Sequence, residues 1–425
     1  MLKIIIFILL YTINCHAQEI EKEDWITDLN FLKSELSKKH KNLFSKISEN
    51  TFENEIQKII NDLDKDTDSE TSIKLMQLIA KVGDSHTTIT ISHIIGNRKI
   101  IPLDLIWFKE GLFILGTSKE NHTILDKQIV SINGFKTETI LDSLKTLFVH
   151  ENTALIKNNT ALLLDNNALL KHFGFSKEND SIYDLGLKDI DGQTMTYSLG
   201  EVNYGVNYSR NKVYMKVNTS KPFYLNGSGK SFKDEYFPKE KIYFIQYNKC
   251  ISKETVERYG DKKIASKFES FDDFEKDVIK KLETLEIDKL IFDMRFNQGG
   301  SSYLAESLID KIASNKKINI KGKLFVVVGN ATFSSAIFNT IYFKNNTKAT
   351  IIGEETAGKP NHFGYVKSFT LPYSRIKVNY SSEYWKLTDE DTSTVTPDKK
   401  VERRYYDYKN GIDPIFDFVK NFKSY

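Results

Sequence analysis

The chain has 425 residues, 40% apolar and 12% aromatic, enough to build more than one core, so two or three domains are expected. Its 60 basic and 57 acidic residues leave a net charge of +3, with Lys and Arg scattered along the chain. That mixed charge excludes the basic field a nucleic-acid partner would need.

Residues 1–17 read as a secretory leader. Lys3 precedes the apolar run Ile4 to Tyr11, which is too short to span a bilayer, and Cys15-His16-Ala17 offers a small-residue cleavage site before Gln18. Cleavage after Ala17 is preferred to lipid anchoring through Cys15, because Thr12-Ile13-Asn14 lacks the leucine and small-residue setting of a lipidation site. The mature chain then keeps Cys250 alone and folds without an intrachain disulfide. No later apolar run approaches a membrane span, so a soluble exported protein, periplasmic or extracellular, is expected.

Residues 18–97 carry helical periodicity. Trp25, Leu29, Leu32 and Leu36 recur at spacings of three and four, as do Leu75, Leu78, Ile79 and Val82. Residues 98–200 turn to short strands with one helix. Ile129 to Ile132 runs into an Asn133-Gly134 turn and is followed by the helical stretch Ile140 to Phe148. Residues 201–240, rich in Tyr, Asn, Lys and Ser, read as a variable linker or insertion, with Asn226-Gly227-Ser228-Gly229-Lys230 as an exposed loop.

Residues 241–425 alternate apolar strands with helices. Strands are expected at Lys241–Tyr247, Leu290–Met294, Leu324–Val328 and Ala349–Ile352. Helices fall between them, from Ser270 with its acidic pair Asp272-Asp273, over Tyr303–Ile312, and over Ser335–Phe343. Such βαβ alternation implies an α/β fold with a parallel sheet, whose sites gather beyond the C-terminal strand ends.

Thr332-Phe333-Ser334-Ser335-Ala336 stands at one such end, where a helix begins. A helix N-terminus favours developing negative charge, so Ser334 is the candidate nucleophile; its bland alternative is a helix cap. Gly299 and Gly300, in Asp293-Met294-Arg295-Phe296-Asn297-Gln298-Gly299-Gly300, can bring backbone N–H groups to a ligand, and Ser335 N–H would complete an oxyanion pair. Asp293 and Arg295 suit an ion pair beneath that turn. Two groups compete as base. Lys359, 25 positions after Ser334 (359 − 334), needs burial to become neutral. His86, in Gly83-Asp84-Ser85-His86-Thr87, needs little tuning. Asp389, Glu390 and Asp391 are the candidate supply of an orienting acid, and His362 is placed to line the cleft. His40, His93, His122, His150 and His172 show no partner pattern, and no metal site or glycine-rich phosphate loop is read.

Taken in order, four blocks resemble the tail-specific, or carboxy-terminal-processing, serine protease family, including its tricorn-like branch. Gly83 to Thr87 is similar to its Gly-Asp-x-His-Thr block, Asp293 to Gly300 to its Asp-Leu-Arg-x-Asn-x-Gly-Gly block, Thr332 to Ala336 to its nucleophile turn, and Ile352 to Lys359 to its Val-Gly-Glu-x-Thr-x-Gly-Lys block. The resemblance implies a crotonase-like C-terminal core, a helical N-terminal domain and a small PDZ-like module around Ile129–Gly134. It implies no cofactor and an extended or unfolded polypeptide as substrate. The family's acidic residue three positions after the nucleophile is Ile337 here, against the Ser-Lys pattern, whereas Ser85-His86 is similar to the tricorn-like Ser-His pair. His86 is therefore preferred to Lys359 as base. The remaining alternatives are a Ser334–Lys359 dyad and a non-catalytic protein binding peptides or an apolar ligand on the same fold.

Overall fold

The computed structural model describes residues 20–90, 99–227 and 229–423. The leader, Cys15, His93 and Ser228 lie outside the described residues.

Three helices, Lys22–Lys39, Glu49–Asp62 and Asp68–Ala80, open the described chain. The periodic positions form their inner face: Trp25, Leu29, Leu32, Leu36, Leu75, Leu78 and Ile79 are all buried. Ser48 caps the second helix, and Thr67 and Glu70 form a reciprocal capping box on the third. Gly83, at φ +75°, ends this region and turns the chain into a short strand, Thr88–Thr90.

The middle region is a seven-stranded sheet with antiparallel pairing. The Asn133-Gly134 turn forms as expected, with both residues at positive φ, and links Gln128–Ile132 to Phe135–Lys136. Helices Thr137–Leu144, Thr153–Leu163 and Asn167–His172 accompany the sheet where one helix was expected. The second was hidden by Asn158-Asn159-Thr160, weak helix formers at its centre; the Asn152 cap supports its start.

Residues 201–240 are more than a linker. Lys212–Tyr214 pairs with Gly111–Ser118 at the edge of the middle sheet, and Phe232–Phe237 pairs with Ile242–Tyr247 in the C-terminal one. Burial of Met215, Tyr224 and Phe232 holds this stretch in place despite its polar composition.

The C-terminal sheet runs Phe232–Phe237, Ile242–Tyr247, Lys289–Asp293, Leu324–Val328, Thr350–Gly353, Lys399–Lys400, with every pair after the first parallel. Helices Phe271–Thr284, Glu306–Ser314 and Ser335–Asn346 contribute to the core on one face. On the other, Ile415 and Val419 of helix Pro414–Asn421 pack against Phe244, Ile291, Phe325 and Val327. The result is the expected α/β architecture, a sheet-rich core behind a helical N-terminal region.

One hairpin ties the ends of the chain together. His362–Thr370 and Lys377–Trp385 pair with each other, and Lys377–Asn379 pairs with Thr88–Thr90. Asp28 accepts the N–H groups of Tyr373 and Ser374 at the hairpin's tip. Leu371, Ile376 and Val378 join one core with the N-terminal helices and the middle sheet, so the expected boundary near residue 97 cuts through shared packing.

Candidate active site

The nucleophile turn is fixed from below by Asn297 and Thr332. Thr332 Oγ1 accepts the Gly329 N–H and donates to the Met294 carbonyl, while Phe333 N–H donates to the Asn297 carbonyl. Asn297 is itself held, because its Nδ2 donates to the Tyr247 carbonyl and its Oδ1 accepts the Gly299 N–H. Ala336 N–H then donates to the Phe333 carbonyl and closes a tight turn with Ser334 at its first central position. Ser334 has φ +51° and ψ −123°, the geometry of a type II′ turn where glycine is usual. A serine there stores about 1–3 kcal/mol of backbone strain, a cost that clusters at functional sites. Although Ser334 occupies the cap position of helix Ser335–Asn346, its side chain makes no cap hydrogen bond. The bland reading of this residue is therefore not realised.

Gly299, at φ +104°, is pressed against that turn. A Cβ on it would lie 2.8 Å from Ser334 Cβ and 3.0 Å from Ser335 N. Its N–H is committed to Asn297 Oδ1 at 2.8 Å. Among the described residues, Ser335 N–H and Gly300 N–H have no intramolecular acceptor. Of the three oxyanion candidates, these two remain as donors, and Gly299 serves by making room.

Beneath the turn Arg295 and Asp293 form the expected ion pair, with Nε 2.8 Å from Asp293 Oδ2. The guanidinium is also bidentate to Asp413, at 3.0 and 2.9 Å, and sits over the Tyr224 ring. Asp413 in turn caps helix Pro414–Asn421. This buried network fastens the strand end to the C-terminal helix. Its sequence signal was incomplete, since Asp413 lies 118 positions from Arg295.

His86 reaches the nucleophile turn through the hairpin. Its ring stacks on Phe333 at 4.6 Å and 22°, and on His362 at 5.4 Å and 16°. His362 is fixed by its Nδ1, which donates to the carbonyls of Lys359 and Pro360 at 3.0 Å each. The His86 ring nitrogens have no hydrogen-bond partner among the described residues. Burial lowers the His86 pKa to about 4; Asp84 pulls against this and His362 adds to it. His86 is thus neutral at pH 7, the form a general base requires.

Asp84 anchors the same turn. Burial opposes its ionisation, but a hydrogen bond with His40, the proximity of His86 and further hydroxyl contacts outweigh it and hold its pKa at about 2. Its Oδ1 accepts the His86 backbone N–H, and its Oδ2 lies 3.1 Å from His40 Nε2. His40 Nδ1 accepts the Asn42 N–H, so Nε2 carries the proton given to Asp84. His40 had no sequence signal; the hairpin and helix packing alone bring it here.

Lys359 is near the site but engaged elsewhere. Its Nζ lies 2.8 Å from Asp391 Oδ1, and the side chain is 19% exposed. Asp389 is fully exposed beside Lys386, and Glu390 joins the loop through its carbonyl, which accepts from Asn361 and Thr388. The structure records none of these three acids against His86. A further buried acid, Glu151, without a signal in the sequence, lies instead beside Ser85, Asp84, Lys359 and Asp391. A cavity of about 180 Å³ opens on the far side of the turn, between Leu105–Trp107, helix Thr153–Leu163 and the Gly329–Ala331 segment. Among the described residues no cluster of His, Cys, Asp and Glu is arranged to hold a metal, and no helix is long and apolar enough to cross a membrane.

Residues 264–401 match peptidase family S41. That segment carries the Asp293–Gly300, Ser334 and Lys359 blocks but not His86, and it bears out the resemblance to tail-specific proteases. No curated protein matches the chain in sequence. Among solved structures, mature CPAF has a similar fold, with a TM-score of 0.64, 15% identity, and coverage of 94% of this chain and 96% of that one. Mature CPAF complexed with lactacystin is similar to the same degree, with a TM-score of 0.63, 15% identity, and coverage of 94% and 98%. These likenesses extend over the N-terminal helices and middle sheet as well as the matched segment.

Proposed function

We propose that the protein is an exported serine endopeptidase that hydrolyses extended or unfolded polypeptides, with Ser334 as nucleophile and His86 as general base. The observation that carries this reading is the strained Ser334 turn, which holds a hydroxyl at a helix N-terminus beside unfilled backbone donors, with the neutral His86 imidazole stacked on the adjoining Phe333. In the forward step Ser334 Oγ attacks the scissile carbonyl carbon while His86 takes the hydroxyl proton. The tetrahedral oxyanion is received by Ser335 N–H and Gly300 N–H, with the helix dipole adding to their field. Collapse breaks the C–N bond, and the proton on His86 passes to the leaving amine. Water then repeats the sequence against the acyl-enzyme.

The cavity on the far side of the turn is lined by Trp107, Lys157 and Arg403 as well as apolar groups. Export rests on the leader-like residues 1–17, and the crotonase-like core and PDZ-like module rest on the family resemblance. In the test, a fluorophosphonate probe should label the wild type and leave Ser334→Ala unlabelled, with peptide hydrolysis falling roughly a million-fold in that variant. Undiminished hydrolysis by Ser334→Ala would sink the proposal and favour a non-catalytic or differently catalysed site.

A further inference from the structure

A histidine base becomes a cation each time it takes the nucleophile's proton, and its surroundings must stabilise that cation. Around His86 no carboxylate does so through a hydrogen bond. Both ring nitrogens lack a partner among the described residues. The acid at 3.9 Å from Nδ1, Asp84, already accepts from His86 N–H, His40 Nε2 and Thr87 Oγ1. The His86 ring is instead stacked on two other rings, Phe333 at 4.6 Å and 22° and His362 at 5.4 Å and 16°.

One short segment, Gly358 to His362, holds both of these rings. His362 Nδ1 donates to the carbonyls of Lys359 and Pro360, which fixes the tautomer with a bare Nε2 and orients the ring. Burial lowers the His362 pKa, against the pull of those carbonyls, and keeps the ring uncharged at pH 7. It therefore offers His86 a π face rather than a charge. Gly358 packs on the other ring. A Cβ there would lie 3.0 Å from Phe333 Cδ2 and 3.3 Å from Ile337 Cγ1, so the missing side chain lets the loop close onto Phe333. Asn361 pins the segment in turn. Its Nδ2 donates to the Thr388 and Glu390 carbonyls, and its Oδ1 accepts the N–H groups of Leu387 and Thr388.

We propose that Phe333 and His362 are positioning residues of the site, whose faces orient His86 and stabilise its imidazolium where a triad would use a hydrogen-bonded carboxylate. A cation within roughly 6 Å of an aromatic centroid is attracted by the ring quadrupole, more strongly where water is excluded. The Ser334 proton arrives on His86 as the hydroxyl attacks and departs with the leaving amine. The two rings act while His86 carries it, and neither gains nor loses a proton. The Gly358-Lys359-Pro360 block thereby serves the base through a glycine and two backbone carbonyls, while the Lys359 amine is paired with Asp391.

This inference rests on His86 as the base, and one set of measurements separates the two. The maximal rate of fluorophosphonate labelling at Ser334, and the probe concentration that gives half of it, are compared at pH 8. The proteins are wild type, His86→Ala, His362→Leu, His362→Phe and Phe333→Leu, with thermal melting to verify folding. His362→Leu keeps bulk and removes the face, so the maximal rate should fall about tenfold, equivalent to about 1.4 kcal/mol, with half-saturation unchanged. His362→Phe restores a face and should label within about threefold of wild type. Phe333→Leu should show the same loss as His362→Leu and carries the test if that variant does not fold. His362→Phe as slow as His362→Leu would overturn the inference, because a ring nitrogen and not the face would then be at work. Wild-type rates in the leucine variants beside a nearly inactive His86→Ala would overturn it too, and leave the peptidase reading standing. A wild-type rate in His86→Ala would remove His86 as base and this inference with it.

Discussion

The nucleophile half of the site is stitched by short backbone and side-chain contacts at one sheet edge, whereas the base half is assembled from stretches far apart in sequence. Ser334, Gly299, Asn297 and Thr332 all belong to two adjacent strand-to-helix connections of the parallel sheet. His86, His362 and His40 meet because the His362–Trp385 hairpin crosses onto the N-terminal helices and pairs with Thr88–Thr90. The first half is built to hold strain. The second holds titratable groups in a dry setting that moves their pKa values apart, His86 down and Glu151 up.

Four perturbations probe that contrast, beginning with the largest. Arg295→Ala strands the buried carboxylates Asp293 and Asp413 under the nucleophile turn and should cost about 3–5 kcal/mol of stability by urea denaturation. A loss below 1 kcal/mol would show that the turn does not depend on this network.

The base half should reveal itself through acid. Unfolded His86 binds a proton below its ordinary 6.5, while the folded residue stays neutral until about 4. The unfolded chain therefore holds more protons in this window, and stability falls as pH drops from 6.5 to 4, by up to roughly 3 kcal/mol from this residue. Glu151 acts in the opposite sense, its contribution being full below its ordinary 4.5 and lost as pH rises through about 7. The difference between wild type and His86→Phe isolates the first slope, and identical pH dependence in the two would refute the buried neutral ring.

Gly299→Ala places a methyl against Ser334 Cβ and Ser335 N, so it should displace the reacting hydroxyl. Labelling is expected to fall about 100-fold, the cost of a misplacement near 1 Å. If labelling stays within a factor of three, the turn is more yielding than its hydrogen bonds suggest. The smallest effect is Ser334→Gly, which relieves the positive φ and should be about 1 kcal/mol more stable than Ser334→Ala. Equal melting temperatures for the two would remove the case for stored strain.

Legibility in the sequence follows the same division. Strands such as Leu324–Val328 and the helix begun by Ser270 were readable because unbroken apolar runs and capping residues act locally. Ser334, Gly300 and the Asp293–Arg295 pair lie in such local patterns. Asp413, His40 and Glu151 were not readable, since nothing near them in sequence marks a partner more than 40 positions away. Helix Thr153–Leu163, which carries Glu151 at its approach, was masked by its own asparagines. Lys359 showed the converse problem, a local pattern whose amine the fold commits to Asp391.

We propose that the neutral His86, and not Lys359, serves Ser334. Side-by-side labelling rates of His86→Ala and Lys359→Ala at pH 8 test it most directly. A loss of about 100- to 10,000-fold is expected for His86→Ala, and for Lys359→Ala a rate within about tenfold of wild type. A nearly dead Lys359→Ala beside an active His86→Ala would contradict it and assign the proton transfer to the lysine.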